Sequence, residues 1–112
     1  MTNEISELTD KVKEFTKNRN WGQFHNPKDL AIALLLEASE VLEHFRFKTE
    51  FDKDEIAKEL SDVLNIVLLF SDTLGIDIVY WFNRKLEENG EKYPIEKFYG
   101  KNQKYGDVNV DG

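Results

Sequence analysis

The stretch LLLEASEVLEHF, residues 34–45, places Glu37 and Glu40 in the middle of an otherwise apolar helical run. On a helix these two residues lie one turn apart, so both carboxylates project from the same face. Burying ionised carboxylates in a small core costs several kcal/mol unless a positive charge compensates them. The pair therefore requires solvent, a basic partner or a metal ion, and the rest of the sequence bears on the choice.

A second acidic pair lies on the next predicted helix. In KELSDVLNIVLL, residues 58–69, Glu59 and Asp62 have the same three-residue spacing among leucine, valine and isoleucine. A short connection favours antiparallel packing of the two helices, which turns the two pairs toward each other. Each pair of carboxylates about 4 Å apart would repel by about 4 kcal/mol at an effective dielectric near 20. A divalent cation removes this repulsion, and ligands that are all oxygen favour Mg²⁺, with Mn²⁺ as a substitute.

Two alternatives to this magnesium site stay open at the level of residue spacing. Acidic pairs three residues apart are common on exposed helix faces, where they need no metal. His44 continues the stripe one turn beyond Glu40, which suggests a di-iron or di-manganese carboxylate bundle. That class usually has a Glu-x-x-His motif on each of two helices, and Ile66 occupies the position of a partnering histidine here.

Apolar spacings of three and four predict helices nearly throughout, and no segment alternates convincingly with a period of two. Asn26 and Pro27 form an N-cap and first-turn signature, whereas Gly75 and Gly90 are expected to end helices. From about residue 93 the tail is expected to be mostly irregular. We therefore predict an all-α fold, a four-helix bundle. Its predicted helices cover residues 4–18, 28–47, about 52–74 and 77–89.

Composition limits the classes of function. A length of 112 residues predicts a single domain, 1–112. The net charge of −7 argues against a nucleic acid polymer as partner. The chain has no cysteine, no signal-peptide pattern after Met1 and no apolar run long enough for a bilayer, so we expect a cytoplasmic protein without a membrane partner.

The two acidic pairs together resemble the signature of the MazG-like all-α nucleoside triphosphate pyrophosphohydrolases, and the chain is most similar to their dCTP pyrophosphatase-type branch. RNWGQFHNPKDLAIALLLEASEVLEHFRFKT, residues 19–49, has that branch's Trp-x-x-Phe-His-x-Pro segment, first acidic pair and aromatic-Lys. KELSDVLNIVLL supplies the second pair, and the Lys85–Asn89 spacing before KYP and the late QKYGDV also match. The resemblance covers about residues 15–108.

This resemblance implies hydrolysis of a nucleoside triphosphate between its α and β phosphates, which would remove unwanted deoxynucleotides from the cellular pool. A metal-bound water is the expected nucleophile. One of the four carboxylates, with Glu37 and Glu40 as the first candidates, would be the general base, and the choice stays open because Leu36 precedes Glu37, where some members have adjacent glutamates. The metal-binding and catalytic residues carried over from the family are Glu37, Glu40, Glu59 and Asp62.

Substrate binding needs cations for the phosphates and flat surfaces for the base. Lys85 and Asn89 lie one turn apart on the fourth predicted helix, so they present an ammonium and an amide together. Trp21 and Phe47 are implied to enclose the base, whereas His25 either contacts the ligand or orders its loop. The base itself stays open, because dCTP-selective relatives tend to carry Trp in place of Phe47. The predicted substrate-binding residues are Trp21, His25, Phe47, Lys48, Lys85, Asn89 and Lys104.

The resemblance also implies assembly of identical chains. Family members are homodimers or dimer-based tetramers with sites near subunit contacts, and we expect a tetramer, a dimer of dimers. The alternative of a different class is a non-catalytic helical oligomerisation module that binds a partner through its acidic faces. Magnesium-dependent turnover that a single glutamate substitution abolishes would distinguish the enzyme from such a module.

Overall fold

The computed structural model describes residues 3–103, and every regular element in this range is helical. The predicted all-α class is therefore confirmed, with one helix more than the four predicted. The additional helix is short and falls in the tail that was expected to be irregular. The elements are α1 (Glu4–Asn18), a 3₁₀ turn (Trp21–Phe24), α2 (Pro27–Glu43), α3 (Lys53–Thr73), α4 (Ile78–Lys92) and α5 (Ile95–Phe98).

Short polar side chains determine where the first three helices begin. Asn3 and Asn26 each accept a hydrogen bond from the backbone N–H three residues later, at 2.7 and 2.9 Å. Asp52 accepts one from the N–H of Asp54 at 2.9 Å. These caps satisfy N–H groups that have no partner within the helix. The start of the second helix, predicted at residue 28 from Asn26 and Pro27, is correct to within one residue, since α2 begins at Pro27.

Two predicted helix ends are wrong. The second helix ends at Glu43 instead of Phe47: residues 44–47 form turns, and Phe47 has a left-handed φ of 58° that no α-helix accommodates. The fourth continues through Gly90 to Lys92, since a glycine inside a helix costs only about 1 kcal/mol. Gly75 does follow the end of α3, with a φ of 67° that suits glycine.

Residues up to Asp77 form one compact unit, Met1–Asp77, in which α3 packs against both α1 and α2. Leu30 of α2 and Leu68 and Leu69 of α3 are its buried apolar side chains. They lie near the start of α2 and the end of α3, as antiparallel neighbours require. The acidic pairs occur nearer the opposite ends of the same two helices, so the core holds together the helices that carry them.

The second unit, Ile78–Gly112, contains α4 and α5. The rings of Tyr93 and Phe98 meet edge to face with centroids 4.8 Å apart, which joins the end of α4 to α5. Trp81 and Phe82 of α4 are more than half exposed. In the described part of the chain no single helix has the length and apolarity to cross a membrane; only α3 and α4, taken together across the break between them, meet that criterion.

Candidate metal centre

Three carboxylates of the first unit converge between α2 and α3. Glu37 and Glu40 of α2 and Glu59 of α3 each offer an oxygen, and the three oxygens lie within 4.8 Å of one another. Two of these residues come from the first acidic pair and one from the second. The face-to-face arrangement expected from the sequence is therefore present for three of the four predicted ligands.

The burial of the three side chains differs. Glu37 and Glu59 are partly buried, whereas Glu40 is exposed. The Oε2 atom of Glu37 is inaccessible to solvent and has no hydrogen-bond partner among the described residues. A buried carboxylate oxygen without a partner is costly, and a cation is the kind of group that would satisfy it.

The charges of the three carboxylates also interact. A hydrogen bond shared with Glu59, together with repulsion from the negative charges of Glu37 and Glu59, raises the pKa of Glu40 above its ordinary value of 4.5. The cluster therefore favours an added positive charge, either a proton or a metal ion. Oxygen donors at this spacing, one of them unpartnered, fit a hard divalent cation.

Asp62 lies outside this convergence. It is an exposed residue of α3, one turn beyond Glu59, and it does not belong to the group of oxygens that meet within 4.8 Å. The regular spacing of the helix gave its position correctly, but spacing does not determine where a side chain points. Its role as a fourth ligand stays a prediction.

His44 contacts the cluster from the side. Its Nε2 atom lies 3.4 Å from Oε1 of Glu59, and both side chains are about three-quarters buried, with 23% and 24% exposed. His44 is absent from the group of atoms that converge. The described residues therefore give the di-metal carboxylate hypothesis no histidine ligand.

The aromatic and imidazole residues predicted for the base occupy two different places. Trp21 is in the 3₁₀ turn, with its ring 5.7 Å from that of Phe15. His25 is partly buried and lines a cleft of about 750 Å³ together with residues of α1 and with Leu69 and Asp72 of α3. Leu69 is ten residues beyond Glu59, which corresponds to about 15 Å along a helix. Within one chain, His25 is thus far from the carboxylates.

Phe47 and Lys48 belong to the turn that follows α2, a few residues after His44. Phe47 is 94% exposed, and the guanidinium of Arg46 lies 5.2 Å from its ring centroid. The backbone N–H of Lys48 donates to the carbonyl of Phe45 at 3.3 Å. The ring of Phe47 is therefore accessible to a ligand, and it lies close to the end of the helix on which the first acidic pair is found.

Lys85 and Asn89 share one face of α4, as predicted. They line an apolar groove of about 420 Å³ on that helix, together with Trp81, Phe82 and Leu86. The Nζ atom of Lys85 lies 3.4 Å from Oε2 of Glu88. Lys104, the remaining predicted substrate-binding residue, lies outside the described residues.

Comparison with known proteins identifies the family. The model of the MazG-like family matches residues 30–108, a range that includes both acidic pairs and α4. The chain belongs to the MazG-like family. The resemblance drawn from the two acidic pairs is confirmed.

Among its relatives, this MazG-like chain is similar to dCTP pyrophosphatase 1 of Mus musculus, with 30% identity over 105 residues that cover 85% of the chain and 62% of the relative. For the protein of the same name from Homo sapiens the identity is 29% with the same coverage. The chain thus spans less than two thirds of the length of these curated relatives.

A solved structure agrees with the fold. The crystal structure of a pyrophosphatase from Archaeoglobus fulgidus DSM 4304 has a TM-score of 0.76 to the MazG-like chain at 33% identity. The match covers 84% of this chain and 95% of the archaeal one. The fold described above is therefore a MazG-like fold.

Sequence reasoning missed two groups of residues in this MazG-like chain. The contact of His44 with Glu59 was not anticipated, although the four-residue spacing from Glu40 had placed His44 on the acidic stripe. Trp81 and Phe82 were not considered for the ligand, although Trp81 lies one helical turn before Lys85, a spacing that places both on one face.

Proposed function

We propose that this chain is a magnesium-dependent nucleoside triphosphate pyrophosphohydrolase. Its substrate would be dCTP or a related deoxynucleoside triphosphate, and its products the monophosphate and pyrophosphate. The observation that carries the proposal is the convergence of Glu37, Glu40 and Glu59, with one glutamate oxygen buried and unpartnered, in a chain of this family. The name of the mammalian relatives, dCTP pyrophosphatase 1, supports the choice of substrate.

The three converging carboxylates, completed by Asp62, are proposed to hold Mg²⁺, with Mn²⁺ as a substitute. When bound, such an ion neutralises phosphate charge and lowers the pKa of a coordinated water. Glu37 or Glu40 would accept the proton of the attacking water. The water oxygen then bonds to the α-phosphorus while the bond from that phosphorus to the bridging oxygen breaks, and pyrophosphate leaves.

The substrate side of the proposal needs cations for the phosphates and a flat surface for the base. The ammonium of Lys85 and the amide of Asn89, which share the groove on α4, are suited to the phosphates. Phe47, which is almost fully exposed, offers a flat surface for the base. Trp21, His25, Lys48 and Lys104 complete the proposed substrate-binding set. One catalytic domain over residues 1–112 is part of the proposal, and the family match over residues 30–108 supports it for that range.

Assembly of identical chains is part of the same proposal, with a tetramer favoured over a dimer. Leu35, Leu36 and Leu42 of α2 are 71%, 58% and 62% exposed, and apolar side chains grouped on one helix are typical of a contact surface. Leu69, which lines the same cleft as His25, is about 15 Å along α3 from Glu59, and this separation supports a contribution of His25 to a site formed with a second chain. A cytoplasmic location, favoured by the absence of cysteine, belongs to the proposal as well.

The test is pyrophosphate release from each canonical dNTP and NTP, with Mg²⁺ and with EDTA. We expect metal-dependent release of monophosphate and pyrophosphate from one or a few nucleotides. Glu59→Gln and Asp62→Asn should abolish turnover while the helical circular dichroism spectrum stays unchanged. Retained activity in Asp62→Asn would remove that residue from the metal site.

The alternative function, a non-catalytic helical module, predicts a different set of results. Such a module would release no pyrophosphate from any nucleotide, and its metal affinity would not depend on Glu59. A chain that is inactive on the canonical nucleotides yet binds Mg²⁺ through Glu59 would instead direct the search to modified nucleotides.

A further inference from the structure

His44 occupies a fixed position at the end of α2. It is the C-cap of that helix, and its backbone N–H donates to the carbonyl of Val41 at 3.3 Å. From there its imidazole reaches across to α3, where Nε2 lies 3.4 Å from Oε1 of Glu59. The two side chains are about three-quarters buried, with 23% and 24% exposed. The contact therefore links the C-terminal end of α2 to Glu59 of α3.

The position of His44 distinguishes a supporting residue from a metal ligand. The Nε2 atom of His44 faces Oε1 of Glu59 at 3.4 Å, and an Nε2–H that donates to this oxygen has no lone pair for a metal ion. His44 thus contacts Glu59 from outside the cluster. This is the place of a group that orients a ligand without coordinating the ion.

The orientation of Glu59 decides whether the cluster forms. Glu59 is the one member of the converging group that α3 provides. Among residues 3–103, no side-chain nitrogen of a lysine or arginine lies within 4.0 Å of its carboxylate oxygens, and its ion-pair partner is His44. A carboxylate only accepts hydrogen bonds, so a hydrogen bond at this contact requires the proton on Nε2.

We infer that His44 is a positioning residue, whose Nε2–H holds one oxygen of Glu59 so that the carboxylate faces Glu37 and Glu40. The inference rests on the proposed function, because it assigns His44 a role at the proposed metal site. Removing a hydrogen-bond partner of a metal-binding group typically weakens metal affinity or activity by about 10- to 100-fold. A role in packing alone would leave metal affinity unchanged.

The experiment compares His44→Leu, which removes the donor, with His44→Gln, whose amide retains one. Binding of Mn²⁺ is measured directly, from the electron paramagnetic resonance signal of the free ion, without nucleotide. We expect His44→Leu to weaken Mn²⁺ binding about tenfold or more and His44→Gln to restore most of the affinity. In turnover, added Mg²⁺ should recover part of the activity of His44→Leu.

Lys58→Leu is the matched control. Lys58 lies next to Glu59 on α3 but pairs with Glu55 at 3.0 Å, and its side chain is 71% exposed. This variant also removes a donor from the same region, and it should bind Mn²⁺ as the wild type does. Should His44→Leu fail to fold, as judged by circular dichroism, His44→Ala and His44→Gln provide the comparison.

Wild-type affinity for Mn²⁺ in His44→Leu would overturn the inference and leave the proposed function intact. The same holds if His44→Gln binds as weakly as His44→Leu, because the hydrogen bond would then not be what matters. If the proposed function is wrong, the result differs: the wild type itself would neither bind Mn²⁺ through Glu59 nor release pyrophosphate. The inference about His44 would then be wrong as well.

Discussion

At the scale of single residues, the acidic cluster is unfavourable for stability although it is suited to binding a metal ion. It consists of Glu37, Glu40 and Glu59. Their oxygens lie within 4.8 Å of one another, an arrangement that costs free energy in the absence of a cation. A carboxyl group whose pKa is raised in the folded state stabilises the fold while it is protonated. That contribution is present below the unfolded value and is lost as the pH rises through the folded pKa.

Glu40→Gln should therefore stabilise the metal-free protein at neutral pH. The pKa of Glu40 is raised above 4.5, mainly by its hydrogen bond with Glu59, so its ionised form is the one that the fold disfavours. In EDTA near pH 7 we expect a higher melting temperature than that of the wild type, and the difference should vanish below pH 4.5. Turnover should be lost in the same variant.

The comparison for Glu40→Gln is Glu43→Gln, which removes an exposed carboxylate of α2 that pairs with Arg46 at 3.4 Å. This variant should gain no stability. A melting temperature of Glu40→Gln at or below that of the wild type in EDTA at neutral pH would contradict the proposed repulsion.

Lys85→Ala tests the phosphate contact. Loss of an ammonium that neutralises phosphate charge should lower kcat/KM about tenfold, which corresponds to about 1.4 kcal/mol of transition-state stabilisation. Steady-state kinetics with the preferred nucleotide measure the effect. Arg84→Ala is the control, because Arg84 is the neighbouring cation on α4 and pairs with Glu87. An unchanged kcat/KM in Lys85→Ala would remove Lys85 from the site.

At the residue scale, sequence spacing predicted which carboxylates converge but not all of the geometry. A three-residue spacing places Glu59 and Asp62 on neighbouring positions of α3. It does not show that Glu59 points into the cluster while Asp62 lies outside it. For the same reason the spacing did not predict the contact of His44 with Glu59, because the direction of a side chain depends on how the helices pack.

At the scale of helices, local signals decided most boundaries. The bounds of α1 agree with residues 4–18, and the N-cap at Asn26 was recognised from its side chain and from the proline that follows. The end of α2 was missed because no sequence signal marks the turns at residues 44–47, and the left-handed conformation of Phe47 is rare for an aromatic residue. Gly90 was overinterpreted, since one glycine does not necessarily end a helix.

Asn26→Ala tests the capping argument. The side chain of Asn26 accepts a hydrogen bond from the N–H of Asp29 at 2.9 Å, and losing such a cap typically costs about 1 kcal/mol. Urea denaturation should show a lower midpoint. Asn83→Ala, at an exposed position inside α4, should have no destabilising effect because alanine is the better helix former. Equal midpoints for wild type and Asn26→Ala would refute the role of this cap.

At the scale of the whole molecule, the apolar pattern predicted helices with packed faces but not what each face contacts. In α2 the pattern includes Leu30, which is buried, and also Leu35, Leu36 and Leu42, which are exposed. Periodicity reports that a face is apolar, and it does not distinguish packing within one chain from packing between copies. The oligomeric state therefore stays a prediction.

Leu35→Lys tests the assembly. Light scattering coupled to size exclusion should give the wild type a mass four times that of the 13.1 kDa chain. Leu35 is 71% exposed on α2, so a lysine there should reduce the mass of the particle if this surface is an interface. Glu50→Lys places a lysine at an exposed position of the loop before α3 and should keep the wild-type mass. A monomeric wild type would contradict the proposed assembly.

In the proposed reaction the acidic cluster directs water to the α-phosphorus of a nucleoside triphosphate. The most direct measurement is hydrolysis of the preferred nucleotide in water enriched in ¹⁸O, with the products analysed by mass spectrometry. We expect one labelled oxygen in the monophosphate and none in the pyrophosphate. Label in the pyrophosphate, or release of a diphosphate and inorganic phosphate, would contradict it.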